Sequence, residues 1–175
     1  GGYIMTADDV KDVIQRPKSA GDNATPNGNG AMVGVLARLY HLTGEQAYLD
    51  RAAALVAAFS GELGRNFFPL ATLINSSEFL ENAVQIVVAG PRDAEPTKDL
   101  IRAPYDRSLP NRLLQVIPPD AQLPARHPAA GKGMVSGKPA AYVCKGQTCG
   151  LPVTHAKALA TALAFGVGVA ATAAL

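Results

Sequence analysis

Apolar side chains in the first half of the chain follow a helical period. The clearest stripe recurs every three or four positions, as on one face of an α-helix, and consists of Tyr48, Ala52, Leu55, Val56, Phe59 and Leu63. Thr43 and Gln46 precede it with the spacing of a capping box. A helix is also predicted at about 31–42. Because two or three residues separate the two helices, they should pack as an antiparallel hairpin.

Two shorter helices are predicted nearby. The pattern at about 67–80 has an inward set of Leu70, Leu73, Ile74 and Phe79, and the helix at 31–42 has one of Val35, Leu36, Leu39 and Tyr40. At the start of the chain, Thr6 and Asp9 again have capping-box spacing, followed by an apolar face of Val10, Val13 and Ile14. Pro17 should end that helix, because the residue before a proline is disfavoured in the α conformation.

The pattern changes at residue 83, where short apolar runs replace the helical stripes. The β-branched run 84–89 and the run 113–117 each end at glycine or proline and predict buried strands. A helix between them, roughly 97–108 with a break at Pro104, would complete a βαβ unit.

A third strand is predicted at 140–144, and residues 148–151 should return beside it. Thr154 can cap a final helix. Together these elements predict an α+β protein. Residues 1–82 would form helical hairpins, and residues 83–175 a small α/β segment with a βαβ unit plus a third strand.

Composition limits the possible functions. Of the 175 residues, 48% are hydrophobic and 17% are charged, so the chain can bury a core and is not intrinsically disordered. The net charge is +2, and the basic residues are scattered without aromatic interleaving, which argues against a nucleic-acid partner. Two cysteines do not make a secreted disulfide scaffold, and we expect a cytoplasmic protein.

Both ends of the chain bear on its origin. It begins with Gly1 and Gly2 on an extended apolar stretch, without a signal-peptide pattern, as a piece of a longer protein would; a chain that lost only its methionine would look the same. Residues 158–175 carry no charge and are at the lower length limit for a membrane span. Their alanine, glycine and threonine content favours insertion weakly. We expect a buried or frayed terminal helix and no membrane association.

A polar loop at residues 16–30 holds the first candidate site. Its charged and amide side chains are Arg16, Lys18, Asp22, Asn23, Asn27 and Asn29. Asp22 could act as a general acid or base if burial or nearby cations tuned its pKa, and Arg16 and Lys18 could bind an anion or a sugar hydroxyl. The same composition also fits a solvated loop with turn chemistry, in which Asn29 caps the next helix.

Cys144 and Cys149 form the second candidate site. In a four-residue hairpin loop around Gly146 they would face each other, with Cα atoms roughly 4.5 to 5.5 Å apart, within disulfide range. The spacing is not the Cys-x-x-Cys of thioredoxins. Reduced structural thiols, a disulfide or redox pair, and a zinc site are all open. A structural zinc site needs four ligands and only His155 is near, so no metal is predicted.

Other catalytic motifs are missing from the sequence. Residues 90–93 follow a strand and precede a helix, where phosphate loops occur, but they lack a Gly-x-Gly-x-x-Gly or Walker pattern. His41, His127 and His155 are isolated, and no serine has a Gly-x-Ser-x-Gly setting. We therefore predict no cofactor.

Several of these segments together resemble one known family. The segments that carry the resemblance are 16–18, 22–29, 36–39, 42–44, 141–144 with Cys149, and 152–154. They are similar to the C-terminal end of the YyaL-type thioredoxin-domain-containing proteins, which are related to the animal spermatogenesis-associated thioredoxin-like protein. The resemblance extends to about Leu163.

The resemblance implies an architecture. Family members combine an N-terminal thioredoxin-like domain with a long α/α toroid similar to six-hairpin glycosidases. This chain would then hold the last hairpins of an incomplete toroid and the closing α/β segment. The rim of the toroid cavity would carry Arg16, Lys18, Asp22, Asn23 and Asn29. The family often has serine where this chain has Asn27, which weakens any role for a hydroxyl there.

The leading functional hypothesis from the resemblance is a carbohydrate-active or sugar-binding protein. Asp22 would be the catalytic carboxylate, with substrate-binding residues Arg16, Lys18, Asn23 and Asn29. Glycoside hydrolysis needs two carboxylates, so a partner would come from outside this chain, which alone would be inactive. The alternatives are a thiol-redox accessory module that uses Cys144 and Cys149, and a purely structural segment.

The expected partners follow from the same hypotheses. They are the remainder of the parent protein, including a thioredoxin-like domain, and a second copy of the chain, because the exposed helix faces of a truncated toroid would associate.

Overall fold

The computed structural model describes residues 1–165 and divides into two compact units, Gly1–Glu81 and a second that begins at Asn82. The first unit is helical, and the second, up to residue 165, contains a four-stranded sheet with helices. Each unit buries hydrophobic residues of its own. The mixture of helices and strands confirms the predicted α+β class.

A helical hairpin forms the centre of the first unit. Helix α1 spans Gly28–Thr43 and helix α2 spans Gln46–Leu63. Gly44 ends α1 in the left-handed conformation (φ 71°), and its N–H donates to the carbonyl of Tyr40. The predicted stripe on α2 is confirmed, because its members are buried or packed against the core: Tyr48, Ala52, Leu55, Val56, Phe59 and Leu63.

The inward face of α1 differs from the prediction. Val35 is 49% exposed, whereas Val33, Leu36 and Ala37 are buried. The buried face of α1 contains Gly30 and Gly34, and glycines do not contribute to a pattern of hydrophobic side chains. A Cβ added at Gly30 would lie 2.8 Å from the backbone nitrogen of Leu73, so α1 approaches the backbone at Leu73 closely along this side.

The capping box predicted at Thr43 does not form. Thr43 is the last residue of α1, and its hydroxyl donates to the carbonyl of Leu39 and accepts from the N–H of Glu45. Glu45 is the N-cap of α2 and makes no side-chain capping bond. The hydroxyl therefore fastens the turn between the helices.

Helix α3, Ala71–Asn82, follows a 3-10 turn at Phe68–Leu70, where one continuous helix from residue 67 was predicted. In that turn the N–H of Leu70 donates to the carbonyl of Phe67, and α3 begins where Asp22 accepts from the N–H of Thr72. Of the predicted inward residues, the buried ones are Leu70, Leu73 and Phe79, while Ile74 is 37% exposed.

The prediction of a helix near residues 6–16 is wrong. This segment consists of turns and extended backbone. Ile14 is fully exposed and Val13 is 37% exposed, so the short apolar face has no core to pack against, and an isolated helix of this length is unstable in water. Arg16 holds the loop instead, because its guanidinium donates to the carboxylate of Asp8 and to the carbonyls of Asp8 and Val10.

The second unit is built on a mixed sheet with strand order β2-β1-β3-β4. The strands are β1 (Val84–Ala89), β2 (Arg112–Ile117), β3 (Ala140–Lys145) and β4 (Thr148–Cys149). Strands β1 and β2 are parallel and are joined through helix α4 (Glu95–Arg102), which confirms the βαβ unit. Strand β3 is antiparallel to both β1 and β4.

The helix predicted at 97–108 is shorter than expected. Helix α4 ends at Arg102, and a 3-10 turn at Ala103–Asp106 follows it. Pro104 lies in that turn, where its missing N–H removes a helical hydrogen bond.

The strand register places alternate residues on opposite faces of the sheet. One face packs against α4 and helix α5 (Ala156–Phe165) through a cluster of Ile86, Val88, Leu100, Val143, Leu159 and Leu163. On the other face, Ala129 from the irregular stretch 118–138 packs with Val87, Ala89 and Ile117.

Within residues 1–165, no helix has the length and apolar character needed to cross a membrane. Residues 158–165 of the predicted terminal helix belong to α5, and the remainder of the prediction lies outside the described residues.

Candidate functional site

The two cysteines form a disulfide across the hairpin of β3 and β4, with 4.0 Å between the Cα atoms of Cys144 and Cys149. The turn between the strands has two residues rather than the predicted four, because Lys145 pairs with Thr148. Gly146 adopts a φ of 56°, which the favoured two-residue hairpin turns require and glycine supplies without strain.

Backbone alternation explains why the cysteine side chains meet. The N–H of Gly150 donates to the carbonyl of Val143, so the neighbouring pair of residues is hydrogen-bonded. In antiparallel strands such pairs alternate with non-hydrogen-bonded ones, whose side chains lie closest. Cys144 and Cys149 occupy a non-hydrogen-bonded pair, which is the position that best allows a disulfide.

The two sulfur-bearing residues have different surroundings. Cys144 is 4% exposed and lies on the inner strand β3 beside β1, where its register partner is Gln85. Cys149 is exposed on the edge strand β4, and Leu151 beyond it is 85% exposed. One sulfur atom therefore belongs to a buried residue and the other to an exposed residue at the edge of the sheet.

In the first unit, Asp22 links two helix starts. One carboxylate oxygen accepts from the N–H of Asn27 before α1, and the other accepts from the N–H of Thr72 in the first turn of α3, both at 2.8 Å. These bonds favour the ionised form, so the Thr72 and Asn27 amides hold the pKa of Asp22 below its ordinary value. The carboxylate is thus ionised at neutral pH and bound to backbone.

Asn29 does not cap α1, because Asn27 has that role: its side-chain oxygen accepts from the N–H of Asn29. Asn29 is buried, 1% exposed. Its side-chain oxygen accepts from the N–H of Tyr3, and its amide nitrogen donates to the carbonyls of Tyr3 and Ser19. Asn29 therefore fastens the N-terminal segment to α1.

The charged side chains among the remaining predicted binding residues make their hydrogen bonds away from Asp22. Arg16 binds within its own loop, to Asp8 and Val10, and Lys18 donates to the carbonyl of Gly1. Asn23 is exposed. Backbone contacts bring Asp22, Asn27 and Asn29 together, whereas a substrate-binding role for these residues stays a prediction.

A cluster around His127 in the second unit was not predicted from the sequence. The Nδ1 atom of His127 accepts from the N–H of Ala129, and its Nε2 atom lies 3.3 Å from the side-chain amide of Gln115 on β2. Burial and the nearby charge of Lys132 lower the pKa of His127, and burial lowers the pKa of Lys132. No sequence spacing connects these residues, which meet through the fold of 118–138 over the sheet.

Two neighbouring clefts lie beside α4 and α5. One, of about 370 Å³, carries charged side chains of both signs, including Arg102, Asp106 and Lys157. The other, of about 500 Å³, includes Lys138 and His155 in its lining. Among residues 1–165, no group of three or more histidine, cysteine, aspartate or glutamate residues is placed to hold a metal ion.

The chain is similar in sequence to three mammalian proteins of the same name. It is 28% identical over 159 residues to spermatogenesis-associated protein 20 of Homo sapiens, and 27% and 26% identical over 162 residues to the proteins of that name from Rattus norvegicus and Mus musculus. The chain is related to spermatogenesis-associated protein 20. The matches cover 88% of this chain but 20% of each relative, so the chain spans about a fifth of the length of these relatives. No protein-family model matches the chain.

Proposed function

We propose that the chain is a segment of a thioredoxin-domain family protein and that its Cys144–Cys149 hairpin exchanges disulfides with a protein dithiol. The proposed dithiol belongs to a thioredoxin-like domain in the remainder of the parent protein. The observation that carries the proposal is the disulfide itself, because it joins a buried and an exposed residue at the edge of the sheet. Attack by a thiolate needs access to the disulfide, and access is one of the factors that set exchange rates.

The proposed cytoplasmic location is consistent with a working disulfide. Glutathione and thioredoxin keep cytosolic thiols reduced, so the disulfides found there are mostly transient, catalytic or redox-sensing. A hairpin disulfide in that compartment would cycle between two states. The proposed partner supplies the two electrons for its reduction.

The proposal includes an architecture for the two units. Residues 1–82 would be the last hairpins of an α/α toroid, and residues 83–175 the segment that closes it. The support is the α1–α2 hairpin followed by α3, with the mixed sheet only after them. The match to spermatogenesis-associated protein 20 covers only 20% of that protein, which supports the view that this chain is part of a longer one.

A carbohydrate-directed reaction has less support in the geometry. A general acid must hold a proton near neutral pH, whereas the backbone amides of Thr72 and Asn27 keep the pKa of Asp22 low, which leaves only a base or nucleophile role. Both carboxylate oxygens already accept from those amides. Asn29 is occupied by the N-terminal segment. We therefore place the redox hypothesis first.

The proposal is tested by mixing the oxidised chain with a reduced thioredoxin-type dithiol protein. We expect the hairpin to gain two alkylatable thiols, measured by mass spectrometry after iodoacetamide, while the partner gains one disulfide. The matched control is the double variant Cys144→Ser/Cys149→Ser, which should leave the partner reduced. A hairpin that stays oxidised while the same dithiol reduces an exposed reference disulfide would refute the function.

A further inference from the structure

The edge position of Cys149 has a consequence for how a partner reaches it. In an antiparallel pair, residues at a non-hydrogen-bonded position point their N–H and C=O groups away from the paired strand. Cys149 holds that position opposite Cys144, and β4 is the last strand of the sheet. Its backbone N–H and C=O therefore point away from β3 at the edge of the sheet, and Cys149 as a residue is exposed.

Cys144 offers no comparable approach. It is 4% exposed and lies on β3, between β1 and β4. Displacement at a disulfide requires the attacking sulfur to reach the sulfur that it attacks, and hindered access slows the reaction. A thiolate arriving from solvent therefore reaches Cys149 and leaves Cys144 as the departing sulfur.

We propose that Cys149 is the sulfur attacked by the partner and Cys144 the sulfur released, and that the partner is a protein dithiol whose backbone pairs with the outer edge of β4 at Cys149. This inference rests on the proposed function and adds the direction of attack and the mode of docking. Pairing of an extended segment with an exposed strand edge is a recurrent form of peptide recognition. The exposed Leu151, two residues along the chain, adds an apolar contact beside the same edge.

The exchange balances as follows. The partner thiolate forms a bond to Sγ of Cys149, and the Cys144–Cys149 bond breaks with its electron pair passing to Sγ of Cys144, which then takes a proton from solvent. The partner's second thiol loses its proton and attacks the partner sulfur of the mixed disulfide, which releases Cys149 as a thiolate. The partner ends oxidised by two electrons, and the hairpin ends as two thiols.

The first experiment traps the mixed disulfide. A thioredoxin-type protein whose second active-site cysteine is replaced by serine is added to the oxidised chain, the reaction is quenched in acid, and the linked peptide is identified by mass spectrometry. We expect linkage to Cys149 to exceed linkage to Cys144 by at least about ten-fold, because of the difference in access. Equal linkage, or an excess at Cys144, would overturn the assignment.

The second experiment compares matched single-thiol variants, C144S and C149S, with Ellman's reagent. We expect the thiol of C144S, which retains Cys149, to react at least about ten times faster in the native protein, and the two rates to agree within about two-fold in 8 M urea. A faster reaction of native C149S would contradict the assignment. The reaction rates in urea report the effect of local sequence alone, so a difference seen only in the native protein is due to folding.

Docking at β4 is tested by comparing glutathione with the protein trap on wild-type and Leu151→Ser protein. We expect the substitution to slow the protein trap by several-fold and to leave the glutathione rate unchanged. Equal slowing of both, or of neither, would exclude docking beside Leu151. If glutathione opens the bond at Cys149 but the protein dithiol never reacts, the proposed function fails and the attacked sulfur is still assigned; if the protein dithiol reacts at Cys144, the function survives and this inference fails.

Discussion

At the scale of single residues, the first unit depends on polar side chains that bind backbone. Asn29 contacts Tyr3 and Ser19 from within α1, and Asp22 contacts the starts of α1 and α3. The sequence places both residues in one polar loop and so predicts a candidate site. Residue type alone, however, does not show whether a polar side chain binds a ligand or the protein backbone. Asn27 and Asn29 are both asparagines and lie two positions apart, but only Asn27 is the N-cap of α1.

Substituting Asn29 with alanine should release the N-terminal segment. The change removes three hydrogen bonds from a buried residue, and we expect the free energy of unfolding to fall by about 2 to 3 kcal/mol. Urea unfolding gives the loss, and faster hydrogen exchange at the Tyr3 amide would locate it. The matched control is the exposed Asn23→Ala, which should change stability by less than about 0.5 kcal/mol. Similar losses in both variants would contradict this role.

Asp22 should make stability depend on pH. Its pKa in the folded chain lies below the ordinary value, so the unfolded chain binds the proton more tightly. The stabilisation is complete above the ordinary pKa of about 4 and is lost as the pH falls through the folded pKa. We therefore expect Asp22→Asn to be less stable than wild type at pH 7, with the difference narrowing below about pH 4. Chemical unfolding at both pH values measures it, and a difference that does not change with pH would argue against the bonds to Asn27 and Thr72.

At the scale of elements, two glycines of α1 give a matched comparison. A Cβ at Gly30 would lie 2.8 Å from the backbone of Leu73, whereas one at Gly28 would meet nothing within 4 Å. Gly30→Ala should therefore cost about 1 to 3 kcal/mol through overpacking against α3. Gly28→Ala should be neutral or stabilise by up to about 1 kcal/mol through helix propensity. Thermal unfolding measures the change in stability of each variant. Equal changes in the two variants would contradict a close contact at Gly30.

The elements that were predictable are those fixed by local pattern. The stripe on α2 and the β-branched run of β1 each carry enough regular apolar positions to identify their type. Long-range contacts decided the rest. Residues 6–16 have capping signals but no core to cover, the buried face of α1 contains glycines, and the state of Cys144 and Cys149 depended on a strand register that spacing alone left open.

At the scale of the whole molecule, the chain is about a fifth as long as its relatives and exposes apolar side chains. Phe67 and Phe68 are adjacent and are 63% and 84% exposed. Exposed apolar patches promote association, so we propose that this pair contributes to a contact between two copies of the chain.

Self-association of the chain should therefore depend on this aromatic pair. We expect light scattering to show a concentration-dependent rise in mass for the wild-type chain and a smaller rise for Phe67→Ser/Phe68→Ser. Tyr105→Ser, at another exposed aromatic residue, serves as the control and should behave as wild type. A wild-type chain that stays monomeric at high concentration would dismiss the contact between copies.

The shortness of the hairpin has a thermodynamic consequence. The disulfide joins residues only five positions apart, so it closes a very small ring and removes little conformational entropy from the unfolded chain. Loop-closure estimates give about 2 kcal/mol for such a ring, against nearly 5 kcal/mol for a ring of a hundred residues. Breaking the bond therefore leaves the cores on both faces of the sheet to maintain the fold. Each opening of the hairpin costs less than half the stability that opening a hundred-residue ring would cost.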